Sequence, residues 1–471
     1  MTAVMLYVTS LSVMSQPVVL HGKVQTEGAK FVEFQNLKDS PFDTYGSNFK
    51  AKVDDNGQFN ISIPVDKLAF GQINCKNFYH EIALAPGDQI EIEIDGDEIT
   101  YKGRGADKNT FLLLMEREGL WDRSIYDQMR KKLSLEDYNS KLVEMMALRA
   151  EKLSAAKIKS QAFVARYNIE SEVVFNSALS SYPMRYGYEK GLNMDSVILP
   201  AAYQRVNSFT YISNDKFVIS ENYLSSFRNA LYAKAQEIRR YDKSLDFDEA
   251  LQVALLDSLG GKTKEYVLAT YLKSDLSRNN YDSALMEKFY ALTPDEVSMN
   301  AIKQAISKFE EKASLINQPL NEAFNRTELY DTLGQKLTFE KLVSNHRGKV
   351  LYLDFWGIGC GPCRQAMPYA KMLKEKLSGE DVEFLYLSME WIPKNAWDKV
   401  FEVTKTNKNH YVLHGGWNNG IFDYMEMKWV PQYMIIDKEG RLVDFTADRP
   451  TPMIEKGETD LEKRLRALAN M

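Results

Sequence analysis

Two cysteines three positions apart constrain this chain more than any other feature. Cys360 and Cys363 follow Val350 to Phe355, a short apolar run rich in β-branched and aromatic residues, which predicts a strand buried on both faces. After the cysteines, small and apolar residues recur at helical spacing until Ser378-Gly379, which predicts a helix that ends there. The pair therefore lies between the end of a central strand and the N-terminus of a helix.

This position gives the two sulfur atoms different roles. Unpaired backbone N–H groups and the positive end of the helix dipole stabilise a thiolate, so Cys360 is the expected nucleophile. Because two residues separate the cysteines, the sulfur of Cys363 can close a disulfide onto Cys360 and release any mixed disulfide formed with a substrate. The spacing therefore predicts thiol–disulfide exchange.

A zinc site is one alternative for a cysteine pair at this spacing. Such a site needs four ligands, and the chain has one further cysteine, Cys75, far away in the sequence. The five histidines do not show the spacing of metal ligands; they are His21, His80, His346, His410 and His414. We therefore expect no metal and no cofactor. Cys75 lies in a predicted strand and is interpreted as a small buried side chain, with a third redox thiol as the alternative.

The remainder of the C-terminal segment predicts alternating strands and helices. The predicted elements are a strand from Glu383 to Leu387, a helix opening at Pro393 with Trp397, Val400, Phe401 and Thr404 on one face, a hairpin of Gln432 to Ile436 with Leu442 to Phe445, and a last helix capped by Thr459 and Glu462. A central sheet flanked by helices results, which is an α/β arrangement.

This segment resembles the thioredoxin superfamily, and specifically its extracytoplasmic TlpA and ResA type. Trp356 followed by Cys360-Gly361-Pro362-Cys363 matches the active-site motif of that family. Asp354, six residues before Cys360, matches its buried acid, and Val430-Pro431 matches its cis-proline, which faces the cysteines. The resemblance implies a thioredoxin fold in which Cys360, Cys363, Asp354 and Pro431 are catalytic.

The resemblance also assigns residues that meet the substrate and marks two departures. Trp356 is expected to pack beside the pair and shape the contact surface, and Val430 to bind the substrate backbone. Gly359 replaces the bulky residue usual before the first cysteine, so the surface around Cys360 is expected to be more open. Ala366 replaces a glutamate of the ResA type, which leaves Asp354 as the obvious proton carrier.

Hydrophobic periodicity divides the chain into segments, and a length of 471 residues allows about three domains. An apolar N-terminal run predicts a signal peptide over residues 1–15, although no Lys or Arg precedes Lys23. A buried N-terminal strand or helix is the alternative. The predicted domains are a β-sandwich-like domain over 16–104, an α-helical region over 105–316 and the thioredoxin-like domain over 317–471.

Period-two alternation in the β-sandwich-like segment predicts two strand pairings. Ala51 and Val53 precede Asn56-Gly57, and Phe59, Ile61 and Ile63 follow it, which favours a hairpin. A second pair is predicted to flank Pro86-Gly87-Asp88, with Ile90, Ile92 and Ile94 on one face and Glu91 and Glu93 on the other.

Helical spacing dominates the central region. Ser134 with Asp137 resembles a helix start, and Leu142, Met145, Met146, Arg149 and Leu153 then share one face. The tyrosines of this region, such as Tyr182, Tyr186 and Tyr188, are interpreted as core residues, with a binding surface as the alternative. Asn317-Gln318-Pro319 is predicted to be a linker.

Together these features predict an exported enzyme that reduces protein disulfides in the cell envelope. The net charge of −6 and the lack of a dense Lys/Arg block argue against a nucleic-acid partner. Gly361-Pro362 places no charge between the cysteines, which favours a reductant and therefore a membrane electron donor that recharges it. The alternatives are a fold that has lost redox activity, and an envelope binding module that uses the thioredoxin fold as a scaffold.

Overall fold

The computed structural model describes residues 16–43, 46–76, 78–120, 126, 128–129, 132–191, 199–206, 213–389, 402, 408–416, 421–422, 427, 429–451 and 458–471. The expected signal peptide and the helix expected from Pro393 lie outside these residues. The chain divides into two compact units, one of Met1–Lys273 with Ser283–Ile302 and the other of Ser274–Asp282 with Lys303–Met471. The domain boundaries expected at 104 and 316 stay predictions.

The N-terminal strands of the first unit form two sheets around one apolar core. In chain order they are β1 Val18–Val24, β2 Phe31–Lys38, β3 Ser47–Lys52, β4 Gln58–Ile63, β5 Ala69–Cys75, β6 Phe78–Leu84, β7 Gln89–Asp95 and β8 Glu98–Arg104. The sheet orders are β4-β1-β7-β8 and β3-β2-β5-β6. Ile90, Ile92 and Ile94 are buried while Glu91 and Glu93 are exposed, as their alternation predicts. The segment is a sandwich of two sheets.

Both predicted strand pairings in this sandwich are wrong. β3 pairs with β2 and β4 pairs with β1, so the strands on either side of Asn56-Gly57 belong to different sheets. β6 and β7, on either side of residues 86–88, pair instead with β5 and β8. Alternation reveals that each strand has one buried face, but it does not reveal its partner. In a sandwich the chain can cross to the opposite sheet at a turn and still bury the same face.

Helices follow the sandwich in the described residues, and two of them contribute residues to both units. They are α1 Ala106–Arg117, α2 Leu135–Ala155, α3 Gln161–Lys190, α4 Ala201–Val206, α5 Glu221–Tyr241, α6 Phe247–Asp257, α7 Gly261–Ser277, α8 Ser283–Ala291 and α9 Glu296–Leu315. The predicted start of α2 is confirmed, since the hydroxyl of Ser134 accepts the N–H of Asp137 at 3.1 Å. Of its predicted face, Met146 is half-buried and the other four residues are buried.

Tyr182 and Tyr203 of the helical region are core residues, and Tyr186 is half-buried. Tyr182 is fully buried, contacts the ring of Tyr138, and donates its hydroxyl proton to the carbonyl oxygen of Leu133 at 2.6 Å. Tyr203 likewise donates to Leu135 at 2.6 Å. These hydroxyls tie the helices together, which supports the core interpretation. The side chain of Tyr188 lies outside the described residues.

The second unit contains one mixed sheet with helices against it. Its strands are β9 Glu328–Asp331, β10 Lys336–Thr338, β11 Val350–Trp356, β12 Val382–Ser388, β13 His410–Leu413, β14 Gln432–Ile436 and β15 Leu442–Asp444. The helices that follow α9 in this unit are α10 Glu322–Asn325, α11 Phe339–Ser344, α12 Gly361–Lys376 and α13 Asp460–Ala469. The strand order is β10-β9-β13-β12-β11-β14-β15. β11 pairs in parallel with β12 and antiparallel with β14, which fits the predicted α/β class.

The hairpin and the last helix cap predicted in this unit are confirmed, whereas the predicted linker is wrong. β14 and β15 form the predicted antiparallel hairpin, and the hydroxyl of Thr459 accepts the N–H of Glu462 at 3.1 Å. The predicted linker at Asn317-Gln318-Pro319 is instead paired. Asn317 donates to the carbonyl oxygen of Leu442 at 2.7 Å, and Leu442 donates to that of Gln318 at 3.1 Å. The segment extends the hairpin edge because its backbone groups find partners there.

Strand β11 determines where the cysteines and the acid lie. All seven of its residues are buried. Leu351, Leu353 and Phe355 belong to one apolar cluster, whereas Tyr352 and Trp356 belong to the cluster that contains Cys363. Because side chains alternate along a strand, Asp354 is on the same face as Tyr352 and Trp356. In the described ranges, no helix is both long and apolar enough to cross a membrane.

Candidate active site

The cysteine pair lies at the start of α12 and forms a disulfide with an S–S distance of 1.95 Å. Cys360 is the N-cap residue, and its Sγ accepts the N–H of Cys363 at 3.1 Å. Cys363 is 1% exposed, whereas Cys360 is partly exposed. The helix N-terminus therefore holds one sulfur at the surface and covers the other, which matches the expected difference between nucleophile and resolving cysteine.

The segment before β14 lies against the same sulfur. The Sγ of Cys360 is 3.6 Å from the carbonyl oxygen of Val430, a contact between residues 70 positions apart. The Val430-Pro431 peptide bond is cis, as the resemblance implies. Both residues are partly exposed. An approaching peptide would meet Val430 and Cys360 together.

Asp354 is buried with an unpartnered carboxyl group. Its side chain is 2% exposed, and neither carboxylate oxygen has a hydrogen-bond partner among the residues that the structure describes. Desolvation raises the pKa of Asp354 to about 8, and the positive charge of Arg449 acts in the opposite direction. A carboxyl group with such a pKa can both take up and release a proton near neutral pH.

Polar side chains flank Asp354 on the neighbouring strands. In register, Asp354 lies beside Tyr386 of β12 and Tyr433 of β14. Burial raises the pKa of both tyrosines, and the negative charge of Asp354 raises it further. Tyr386 in turn lies beside His410 of β13, and the two rings stack with centroids 4.6 Å apart. A buried polar row therefore crosses the sheet beneath α12.

Arg449 connects the loop after β15 with the cysteine turn. Its Nη2 donates to the carbonyl oxygen of Pro362, the residue before Cys363, at 2.6 Å. The preceding residue, Asp448, accepts the hydroxyl proton of Tyr352 on its carbonyl oxygen at 2.8 Å. The guanidinium is exposed, yet it acts electrostatically on both Asp354 and Tyr433.

A family model described as Thioredoxin-like matches residues 348–442, which include the cysteine pair, Asp354 and the cis-proline. The second unit contains a thioredoxin-like domain. The match ends at these residues, so the likeness describes this domain and not the whole chain.

Individual proteins similar to part of this chain include two named thiol-disulfide oxidoreductase ResA. The protein from Geobacillus kaustophilus is 38% identical over 50 residues, covering 11% of this chain and 29% of the relative. The protein from Bacillus cereus is 30% identical over 120 residues, covering 24% of this chain and 61% of the relative. The chain thus spans less than two thirds of the length of these relatives.

Two of the solved structures with some likeness to the chain come from Bacteroides. A putative thiol-disulfide oxidoreductase from Bacteroides vulgatus is 24% identical to this chain, with a TM-score of 0.26. The matched region covers 33% of this chain and 96% of the Bacteroides vulgatus chain. A thiol:disulfide interchange protein from Bacteroides sp. is 19% identical, covers 31% of this chain and 86% of its own, and has a TM-score of 0.25.

Most residues expected at the site meet in the thioredoxin-like domain, but Trp356 does not reach its surface. Trp356 is 1% exposed and packs in the cluster of Cys363, so its side chain supports the pair from within. A side chain at Gly359 would meet nothing within 4 Å, as expected for an open surface before Cys360. Within the described ranges, no group of three His, Cys, Asp or Glu residues could hold a metal ion.

Sequence reasoning missed Arg449 and the flanking tyrosines. Arg449 lies 86 positions after Cys363, in a loop where no spacing links it to the cysteines. Tyr386 and Tyr433 look like ordinary apolar strand residues until the register places them beside Asp354. The available signal was Asp354 itself, because a buried carboxyl group predicts polar or charged neighbours.

Proposed function

We propose that the thioredoxin-like domain is a thiol–disulfide oxidoreductase that reduces protein disulfides in the cell envelope. The observation that carries this proposal is the redox pair itself: a disulfide at a helix N-terminus, with Cys360 partly exposed and Cys363 buried. The names of the ResA relatives support it. Such an arrangement suits exchange with a protein substrate, since one sulfur can be attacked while the other is kept in reserve.

The reduced pair would act in two steps. The thiolate of Cys360 attacks a sulfur of the substrate disulfide, the substrate S–S bond breaks, and the displaced substrate sulfur leaves as a thiolate that takes a proton. Cys363 then loses its proton to the carboxylate of Asp354 and attacks Cys360. The second substrate sulfur leaves as a thiolate, so two electrons pass from the pair to the substrate and the Cys360–Cys363 disulfide remains.

The surroundings of the pair would assist each step. The N–H of Cys363 and the end of the helix dipole stabilise negative charge on Cys360. Val430, in contact with Cys360, would hold an extended substrate segment by its backbone, beside Pro431. Asp354 would serve as the proton acceptor because its raised pKa matches the pH at which Cys363 must be deprotonated.

Electron flow would be in the reducing direction. Between the cysteines, Gly361-Pro362 offers no charge that would stabilise the reduced thiolate. The potential is therefore expected nearer to the value of about −270 mV for thioredoxin than to about −120 mV for a strong oxidant. In a compartment that oxidises thiols, such a reductant needs a membrane donor to restore its electrons. The envelope location rests on the apolar segment over residues 1–15.

An insulin-reduction assay on the full chain tests the proposal. We expect turnover in the wild type, loss of turnover in Cys360→Ala, and wild-type turnover in Cys75→Ala. Cys75 is the matched control because it is also a cysteine but is buried in the sandwich. Absence of turnover in the wild type would contradict the enzyme and favour a binding module.

A further inference from the structure

The loop after β15 is fixed against the site by hydrogen bonds at consecutive residues. Ala447 donates its backbone N–H to the carbonyl oxygen of Tyr433 at 3.0 Å. Asp448 accepts the hydroxyl proton of Tyr352 at 2.8 Å. Tyr352 and Tyr433 are both buried, and their rings stack with centroids 5.4 Å apart. The backbone that carries Arg449 is therefore held by Tyr433, which lies beside Asp354 in register, and by Tyr352, two residues before Asp354 on β11.

From this position the side chain of Arg449 reaches the turn between the cysteines. Its Nη2 donates to the carbonyl oxygen of Pro362 at 2.6 Å. This bond joins the loop to the first turn of α12, the part of the helix whose position fixes Cys363. A charge-assisted bond to a backbone carbonyl is stronger than a neutral one, so it restrains the turn.

The same guanidinium brings positive charge to this face of the sheet. Around Asp354 lie Tyr352 on its own strand, Tyr386 on β12 with His410 beyond it on β13, and Tyr433 on β14, and Cys363 of α12 shares the cluster of the three tyrosines. Of the charged groups, Arg449 acts on Asp354, Asp448 on Tyr352, and Glu383 on Tyr386. α13 contributes Leu461 and Leu465, which are apolar. Arg449 is the charged group in the described residues that favours the ionised form of Asp354.

We propose that Arg449 is a positioning residue for thiol–disulfide exchange, which holds the Pro362 turn and supplies the positive charge that lets Asp354 accept the proton of Cys363. The proposal rests on the proposed function and extends it to a residue outside the motif. Without Arg449, a smaller fraction of Asp354 is ionised at a given pH. Closure of the disulfide by Cys363 is then slower below the midpoint of that ionisation and unchanged above it.

Stopped-flow reaction of the reduced full chain with excess dithionitrobenzoate from pH 6 to 10 tests this. The first thionitrobenzoate is released when Cys360 attacks, and the second when Cys363 closes the disulfide. In Arg449→Gln we expect the midpoint of the second phase to move up by about half a pH unit, which slows it about threefold at low pH. Arg449→Lys should recover much of this shift because it keeps the charge.

Matched variants separate positioning from a merely structural role. Arg347→Gln is the control, because Arg347 is also exposed and also donates to a backbone carbonyl of the same unit, that of Glu439 at 3.2 Å. We expect it to leave the second phase unchanged. In an Asp354→Asn background, Arg449→Gln should no longer move the midpoint.

Two results would overturn the proposal. One is a midpoint in Arg449→Gln equal to that of the wild type, and the other is an undiminished shift in the Asp354→Asn background. Because the probe is a small disulfide, the second phase can be read even if insulin is not reduced. Failure of the proposed function and failure of the role of Arg449 are therefore distinguishable.

Discussion

At the scale of single residues, the buried environment of Asp354 opposes ionisation of its carboxyl group. Its carboxyl group is buried without a hydrogen-bond partner in the described ranges, and its pKa is raised to about 8. In the unfolded chain, the usual pKa is near 3.8. From about pH 4 to 8 the folded chain thus holds a proton that the unfolded chain has lost. Stability must fall as pH rises through that window.

Replacement of Asp354 by Asn should remove this pH dependence. We expect the free energy of unfolding of Asp354→Asn, relative to the wild type, to increase by about 1.4 kcal/mol per pH unit between pH 4 and 8, or on the order of 4 kcal/mol by pH 7. Denaturant titrations followed by tryptophan fluorescence measure it, since five of the six tryptophans lie between 356 and 429. A pH-independent difference would show that Asp354 is ionised in the folded chain.

At the scale of elements, α13 shows how a local signal fixes a packed helix. The hydroxyl of Thr459 accepts the N–H of Glu462, and the helix then buries Leu461 and Leu465 in the cluster of Cys363. Thr459→Ala should lower the free energy of unfolding of the second unit by about 1 kcal/mol, whereas Thr459→Ser should keep it. Equal stabilities of the two variants would mean that the cap is not needed.

Elements that depend on local sequence signals were predicted correctly, whereas strand pairings that depend on distant residues were not. The caps at Ser134 and Thr459 and the hairpin after Pro431 depend on neighbours within a few residues, so the sequence is sufficient to find them. The pairing of β3 and β4 with other strands depends on which sheet each strand joins. Alternation is the same for either choice, because both bury one face.

The residues of the candidate site likewise divide into those that the sequence predicted and those that it did not. Cys360, Cys363 and Asp354 were found because a motif with fixed spacing carries them, and Pro431 because Val430-Pro431 before the hairpin matches the cis-proline of the family. Arg449 and the tyrosines beside Asp354 were not, because strand register and a distant loop bring them there. Trp356 belongs to the motif, but its burial alters the expected contact with substrate to internal packing.

At the scale of the whole molecule, buried ionisable side chains differ in whether they are paired. In the first unit, Lys108 is paired with Asp88 at 2.6 Å, and buried Tyr182 donates its hydroxyl proton to Leu133. These pairs satisfy the core and stabilise the sandwich and helices. In the second unit, the carboxyl group of Asp354 is buried without such a partner beside a disulfide. A buried carboxyl group without a partner is costly, and its presence beside the disulfide is consistent with the proton transfer that we propose for Asp354.

The reduction potential of the Cys360–Cys363 pair is the property that decides whether this domain acts as a disulfide reductase. The full chain is equilibrated with mixtures of reduced and oxidised glutathione, thiols are alkylated, and the oxidised fraction is read by mass spectrometry. The account predicts reversible exchange with a potential near that of thioredoxin, about −270 mV. A potential above roughly −180 mV, the region of protein disulfide isomerase, or a pair that does not exchange with glutathione, would contradict a disulfide reductase.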